Sequence, residues 1–189
     1  MRGFTAPSQF VGAIVKTKFG VFASVESDEG LYQIIWSEPT ARLEKLRDSL
    51  VQRFGDVQFA KSSDATVLLD RYFEGEAIDF QQVELNLNRL TPFRRLVTQA
   101  CRNIPIGSTA SYAELAKRAG SPGAARAVGS TMANNPWPII VPCHRVFASG
   151  GQIGGYSAPG GLSSKRELIE RELKMLAGRK SMQGAEVSR

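Results

Sequence analysis

Two short helical stretches hinged on Gly120-Ser121-Pro122 constrain this chain more than any other feature in it. Ser111 stands three residues ahead of Glu114, a spacing in which serine and glutamate each satisfy a free backbone N–H at a helix start. That predicts a helix over Tyr112–Ala119. Glycine and proline then stop it, and a second helix is predicted from Gly123 to Asn134. Two such helices joined by a tight turn outline a helix-turn-helix, although ordinary αα-hairpins share the pattern. The second helix is the more informative. Gly123-Ala124-Ala125-Arg126-Ala127-Val128-Gly129-Ser130 has almost no side-chain bulk besides one arginine. A helix that reads base edges in the major groove carries several long polar side chains. One stripped to Ala and Gly lets its backbone approach another surface closely, as the narrower minor groove requires, with Arg126 left as a wedge or plug. Tight packing against another helix explains the small residues equally well but not the arginine.

Charge supports a polyanionic partner without requiring one. Residues 1–90 carry 10 Lys/Arg and 13 Asp/Glu, a net of −3; residues 91–189 carry 14 and 5, a net of +9, and the chain's total is +6. A basic half joined to a mildly acidic one suits nucleic acid, and is also compatible with a merely soluble basic surface. With 189 residues, 42% hydrophobic and 22% charged, the chain can bury one large core or two small ones. No apolar run reaches the ~18 residues of a membrane span, and Met1–Ser8 has no signal-peptide core. The expectation is a cytoplasmic protein (nuclear in a eukaryote) with no membrane attachment. Two distant cysteines suggest no disulfide framework. Cys101, Cys143 and His144 are too few for a tetrahedral Cys/His zinc site, so neither metal nor cofactor is expected.

The first third reads as an α/β scaffold without visible chemistry. Phe10–Ser24 is rich in Val, Phe, Ile and Thr with a turn at Gly20, and Asp28-Glu29-Gly30 turns into a strand over Leu31–Trp36. Leu43, Leu46, Leu50 and Phe54 recur at helical spacing within a helix predicted over Pro39–Phe54. Asp64–Phe73 reads as a further helix ended by Gly75, and Gln82–Leu87 as a strand. At Thr91-Pro92 a capping threonine and a proline at the first helical position start a helix reaching Ile104. The predicted class is α+β: an α/β N-terminal domain over 1–88, a mainly helical C-terminal domain with the helix-turn-helix over 89–176, and a disordered tail over 177–189.

One stretch carries chemistry. Apolar Ile139–Val141 delivers Pro142-Cys143-His144-Arg145. The thiolate is the nucleophile, and neighbouring positive charge lowers a cysteine's pKa from about 8.5, so Cys143 is expected to be an activated thiol. Adjacent residues on an extended chain point to opposite faces, so a turn or a bridging water must link Cys143 to His144. A lone Cys-His step is often purely structural. Cys101, inside a helix, reads as a buried small hydrophobe. A helix predicted over Ser163–Leu176 has its apolar stripe at Leu168, Ile169, Leu173 and Leu176, and Glu172 falls on that stripe. A carboxylate there is costly unless paired. Two partners are open to it: His144, in a Glu172–His144–water–Cys143 relay where a third group orients the base, or Arg145, in a structural ion pair.

Val141-Pro142-Cys143-His144-Arg145-Val146 resembles the signature of the O6-alkylguanine-DNA alkyltransferases. The likeness runs upstream through Ala125-Arg126-Ala127-Val128-Gly129 and Asn135-Pro136, and downstream through Gly155-Tyr156-Ser157 to Lys165 and Glu172. It covers Leu90 to Leu176; the first 85 residues match only in layout. The resemblance implies a monomer that binds double-stranded DNA containing O6-alkylguanine from the minor groove, with Ala125, Ala127 and Gly129 on the contacting helix. The damaged base is flipped out, since O6 is packed inside the duplex, and Arg126 fills the gap. Tyr112 holds the flipped base and helps protonate N3. The carbonyls of Cys143 and Val146 accept from the exocyclic amine, Tyr156 and Ser157 lie near O6, and Asn135 braces the loop. Cys143 takes a methyl or larger alkyl group from O6 of guanine, or from O4 of thymine, once and irreversibly.

The sequence departs from the family pattern in three places. Ala158-Pro159 precedes Gly160-Gly161, where members usually run directly from Tyr-Ser to Gly-Gly. The cysteines and histidines of the zinc site some members carry are missing before Cys101, and the fused phosphotriester domain is not expected. Two other classes compete: a non-catalytic helix-turn-helix DNA binder and a multiple-turnover Cys-His hydrolase. Retention of Cys143 separates the chain from the alkyltransferase-like proteins, which lack the nucleophile.

Overall fold

A computed structural model describes residues 9–186, with side chains as far as Arg179. Strands β1 (Phe10–Thr17), β2 (Gly20–Ser27) and β3 (Gly30–Ser37) form an antiparallel meander. After helix α1 (Leu43–Phe54), the short β4 (Val57–Phe59) returns parallel to β1, giving the order β3-β2-β1-β4. Alternation along β2 sets the packing. Val21, Ala23 and Val25 cluster with Leu46 and Leu50 of α1, whereas Phe22 joins the opposite face, under α2 (Asp64–Phe73), and stacks on Phe73 at 4.9 Å. Helix α1 begins at Leu43, later than expected, because the residues after Pro39 are used in a turn closed by Ala41 N–H donating to Glu38 O.

Gln82–Leu87 does not form the predicted strand. Single 3₁₀ turns flank it at Phe80–Gln82 and Leu87–Arg89, and it meets β3 only at the Leu31–Leu85 bridge. The alternation is real, with Val83 and Leu85 buried and Glu84 exposed. The β3 edge, however, is occupied: Ile34 N–H donates to Pro136 O and Trp137 Nε1 to Leu31 O, both at 2.8 Å. A loop from the second half of the chain covers that edge.

The second half holds α3 (Pro92–Arg102), β5 (Ala110–Ser111), α4 (Tyr112–Arg118), α5 (Ala125–Ala133), β6 (Val146–Phe147) and α6 (Gly161–Glu186). Thr91 and Ser111 cap α3 and α4 as their positions predict, Ser111 in a full capping box with Glu114. Helix α6 continues past Leu176, through the segment expected to be a disordered tail; residues 187–189 lie outside the described ones. No proline interrupts the extension, and its two glycines, Gly178 and Gly184, cost only about 1 kcal/mol each. Arg179 anchors the extension by donating to Ala77 O at 2.7 Å. The expected boundary at 88/89 falls inside the Leu87–Arg89 turn, and the core runs across it. One buried cluster joins Phe22, Leu31 and Tyr72 to Val97, Trp137 and Leu168.

Candidate active site

Pairing of β5 with β6 fixes where the site forms. Strand β5 runs straight into α4, and β6 follows directly on a 3₁₀ turn, Cys143–Arg145. Ala110 sits against Val146 and Ser111 against Phe147, which sets Tyr112, the first residue of α4, near Cys143. Asn135 holds the loop ahead of the turn. Its Nδ2 donates to Val141 O at 2.8 Å and to Cys143 Sγ at 3.2 Å, and its Oδ1 accepts from Trp137 N at 3.0 Å. The loop is tight enough to force buried Ile139 to a φ of 73°, a conformation that costs a β-branched residue on the order of 1–3 kcal/mol. The 3₁₀ turn does not bring the imidazole onto the thiol: consecutive side chains still diverge, and His144 and Arg145 leave Cys143 for Glu172.

His144 and Arg145 both go to Glu172. His144 Nε2 lies 2.8 Å from Oε1; Arg145 reaches both carboxylate oxygens through Nε and Nη2 at 2.8–3.1 Å. Tyr72 OH donates to Oε1 at 3.0 Å and Gly107 N–H to Oε2 at 3.2 Å. The two partners left open by the sequence are therefore bound at once. Burial pushes the Glu172 carboxyl up, but His144 and Arg145 outweigh it and hold the group at about 2. Burial lowers His144 against the pull of Glu172, so the imidazole is neutral at neutral pH. An ionised carboxylate only accepts, so Nε2 carries the proton and the buried Nδ1 keeps a lone pair with no protein partner.

The expectation that Cys143 is activated by His144 and Arg145 is wrong in sign. Burial pushes the thiol above its ordinary value, because both basic neighbours are turned away to Glu172. What opposes burial is different: the Asn135 amide N–H and the charge of Lys165. Lys165 is fully buried, its Nζ donating to Val146 O at 2.5 Å and lying 4.9 Å over the Phe147 ring.

Cys143 opens on a cavity of about 660 Å³ that gathers Tyr112, Ala125, Arg126, Gly129, Tyr156 and Ser157 from the residues singled out in the sequence. Burial raises the Tyr112 phenol, which therefore keeps its proton at neutral pH. Gly154 lets the chain pass over this ring, since a Cβ there would come within 2.9 Å of Tyr112 Oη. Arg126 and Ala127 are exposed, and a Cβ at Gly129 would meet nothing within 4 Å. Packing inside the protein therefore does not require the small residues on this face of α5. Ser157 lines the cavity, and its Oγ donates to Ala133 O at 2.8 Å, which ties the loop to the end of α5. Ala158 and Pro159 lead into α6, with Gly161 N–H donating to Ala158 O at 3.0 Å. Asn135, His144, Val146 and Glu172 stand behind the thiol, outside the lining of this cavity. The Val146 and Cys143 carbonyls already accept from Lys165 and from Val146 N–H, each keeping a second lone pair.

Residues 92–174 match the family described as 6-O-methylguanine DNA methyltransferase, DNA binding domain. The methylated-DNA–protein-cysteine methyltransferase of Mycobacterium leprae is 49% identical over 110 residues, 58% of this chain and 64% of that protein. Its counterpart in Mycolicibacterium paratuberculosis is 38% identical over 154 residues, 80% of this chain and 91% of that protein. The chain belongs to the O6-alkylguanine-DNA alkyltransferase family. Fold similarity within the family extends across both halves: the crystal structure of Mycobacterium tuberculosis OGT in complex with DNA matches with a TM-score of 0.69 at 34% identity, covering 87% of this chain and 94% of that one. The match to the M. leprae alkyltransferase spans just under two thirds of that relative's length.

The sequence hid several contributors to this site. Tyr72 belongs to the N-terminal half, which carried no visible chemistry, and its position on an apolar helix face disguises a hydroxyl aimed at Glu172. Gly107 has a φ of 71° and a Cβ there would collide with Leu176, so only glycine brings this N–H to the carboxylate. Lys165 was legible by the test that exposed Glu172. It lies three residues before Leu168 and seven before Glu172, on the buried stripe of α6.

Proposed function

We propose that this protein repairs alkylated DNA by moving the alkyl group from O6 of a flipped guanine onto Cys143, one group per molecule. The observation that carries the reading is the cavity that joins Cys143 to Tyr112 and to the unpacked small-residue face of α5. That face approaches the minor groove, with Ala125, Ala127 and Gly129 allowing close contact and exposed Arg126 entering the stack. Affinity comes mainly from phosphate contacts of the basic half. The protein acts as a monomer, without metal or cofactor, in the cytoplasm or, in a eukaryote, the nucleus.

The thiol proton leaves first. Nδ1 of neutral His144 accepts it across a bridging water, and Glu172 supports the resulting imidazolium through Nε2. The Asn135 amide and Lys165 stabilise the thiolate. Sulfur attacks the O-alkyl carbon, the carbon–O6 bond breaks, and its electron pair passes into the purine as N3 takes a proton from Tyr112. The imidazolium proton returns through solvent to the Tyr112 phenolate, the proton on N3 moves to N1, and the products are S-alkyl-Cys143 and guanine. A thioether has no easy hydrolytic exit, which ends the cycle.

Counting transfers on an O6-methylguanine duplex tests the proposal. One alkyl group per protein, on Cys143, is expected. Zero transfers would favour a DNA binder without chemistry, and many turnovers a hydrolase.

A further inference from the structure

Three arginines that the proposed chemistry does not use share an arrangement; one of them, Arg53, also lines a small cavity that reaches Cys143. Arg53, in the last turn of α1, donates to Gln33 Oε1 at 3.2 Å and lies 5.2 Å from the centre of the Phe54 ring. Arg89 donates to the Tyr32 carbonyl and sits 3.8 Å over the Tyr32 ring. Arg94, in the first turn of α3, donates to Asn134 O at 3.3 Å, at the end of α5. Tyr32 and Gln33 are neighbours on β3, and Arg89 experiences both Arg53 and Arg94 as like charges.

Neutral acceptors and rings hold all three, and no ion pair is formed by any of them among the described residues. Arg71, in the same half, shows the contrast: its guanidinium closes on Glu76 at 2.6 Å. Like charges gathered without a carboxylate repel one another, and they are suited to a shared anion. Arginines fixed by neutral partners also keep donors free in the fork geometry that fits phosphate. Asn134 places this arc beside α5, so it carries positive charge from the helix-turn-helix onto a half whose net charge is −3. The half-by-half charge balance conceals it.

We propose that Arg53, Arg89 and Arg94 form a phosphate track that grips the backbone of the same duplex beyond the α5 contact. The track rests on the reading that α5 faces DNA. Arg94 alone could be explained as a cap on the α5 carbonyls, but capping would change stability and not the salt dependence of binding.

Salt dependence therefore decides. Affinity for an unmodified duplex is measured by fluorescence anisotropy from about 50 to 200 mM salt, for the parent, Arg53→Gln, Arg53→Lys, Arg53→Gln/Arg94→Gln and Arg71→Gln, with melting temperatures alongside. Each lost phosphate contact should make the log–log slope shallower by about 0.9, so the double variant by about 2. The parent's advantage over it should then shrink roughly tenfold across that range. Arg53→Lys should keep the parental slope, and so should Arg71→Gln. Coincident slopes for parent and Arg53→Gln, or an equal flattening in Arg71→Gln, would overturn the track. Arg53 is exposed, so its single substitution decides even if the double variant does not fold. Should the parent fail to transfer from an O6-methylguanine duplex, the proposed function falls. Transfer with coincident slopes removes only the track.

Discussion

Replacing Glu172 by glutamine keeps the side-chain volume and removes a charge that five donor atoms converge on: Tyr72 OH, Gly107 N, His144 Nε2, and Nε and Nη2 of Arg145. The new amide turns two N–H bonds towards other donors, and Arg145, only 6% exposed, keeps a charge with no counter-ion. Breaking a buried pair from one side costs about 3–5 kcal/mol. The lowered pKa of the carboxyl leads to a similar figure. The carboxyl is held at about 2 against an ordinary 4.5, and at 1.36 kcal/mol per pH unit this is worth on the order of 3 kcal/mol. Because the folded-state value lies below the unfolded one, this stability is fully present above about pH 4.5 and is lost as pH falls towards 2. Urea denaturation of Glu172→Gln at pH 7 should therefore show a loss of ~3 kcal/mol. The gap to the parent should narrow between pH 4.5 and 2, where the parent's own carboxylate is protonated. Adding Arg145→Met should recover part of the loss by removing the stranded charge. A variant within about 1 kcal/mol of the parent at pH 7, or a gap unchanged into acid, would refute this account of the network.

Further outcomes follow from the site. Cys143→Ala should abolish transfer while leaving duplex affinity largely intact, and Cys101→Ser should retain transfer at some cost in stability; mass spectrometry of the alkylated protein checks which thiol is labelled. Arg126→Ala should slow repair in duplex DNA far more than reaction with free O6-benzylguanine, since only the duplex leaves a gap to fill, and equal losses would give Arg126 another role. Gly129→Ala should raise stability by about 0.5–1 kcal/mol, because the space is open and alanine favours helix. The bulkier Gly129→Leu should weaken duplex binding at least several-fold in a titration, and undiminished affinity would mean that α5 does not approach DNA closely.

What the sequence made legible was mostly local. Caps at Thr91 and Ser111 and the glycine turn at 120 are short-range chemistry, and each helix begins where its cap predicts. Glu172 was found because a charge on an apolar stripe must have a partner. Charge partners were harder to assign, since they depend on which way a 3₁₀ turn aims three consecutive side chains. Proximity in sequence suggested that His144 and Arg145 would activate Cys143; the turn gives them to Glu172 instead and leaves activation to Asn135 and Lys165. Gln82–Leu87 had a strand's alternation, but alternation cannot report that an edge is already covered by Pro136 and Trp137. Tyr72 was invisible for a related reason: its partner is a hundred residues away.

A thiol raised by burial looks at first like a poor nucleophile, yet the proposed chemistry accounts for it. A protein that reacts once loses its function to any stray oxidant or electrophile that reaches the acceptor first, and the thiolate is the vulnerable form. Keeping Cys143 9% exposed and protonated at rest limits that loss. The means of ionisation are already in place around it: an amide N–H at 3.2 Å, a buried ammonium, and a neutral imidazole whose free nitrogen can take the proton. In the proposed chemistry they act once a substrate occupies the cavity and offers a carbon to attack. Rapid turnover would favour a lower thiol pKa, whereas a single transfer favours a thiol that stays quiet until the correct base arrives.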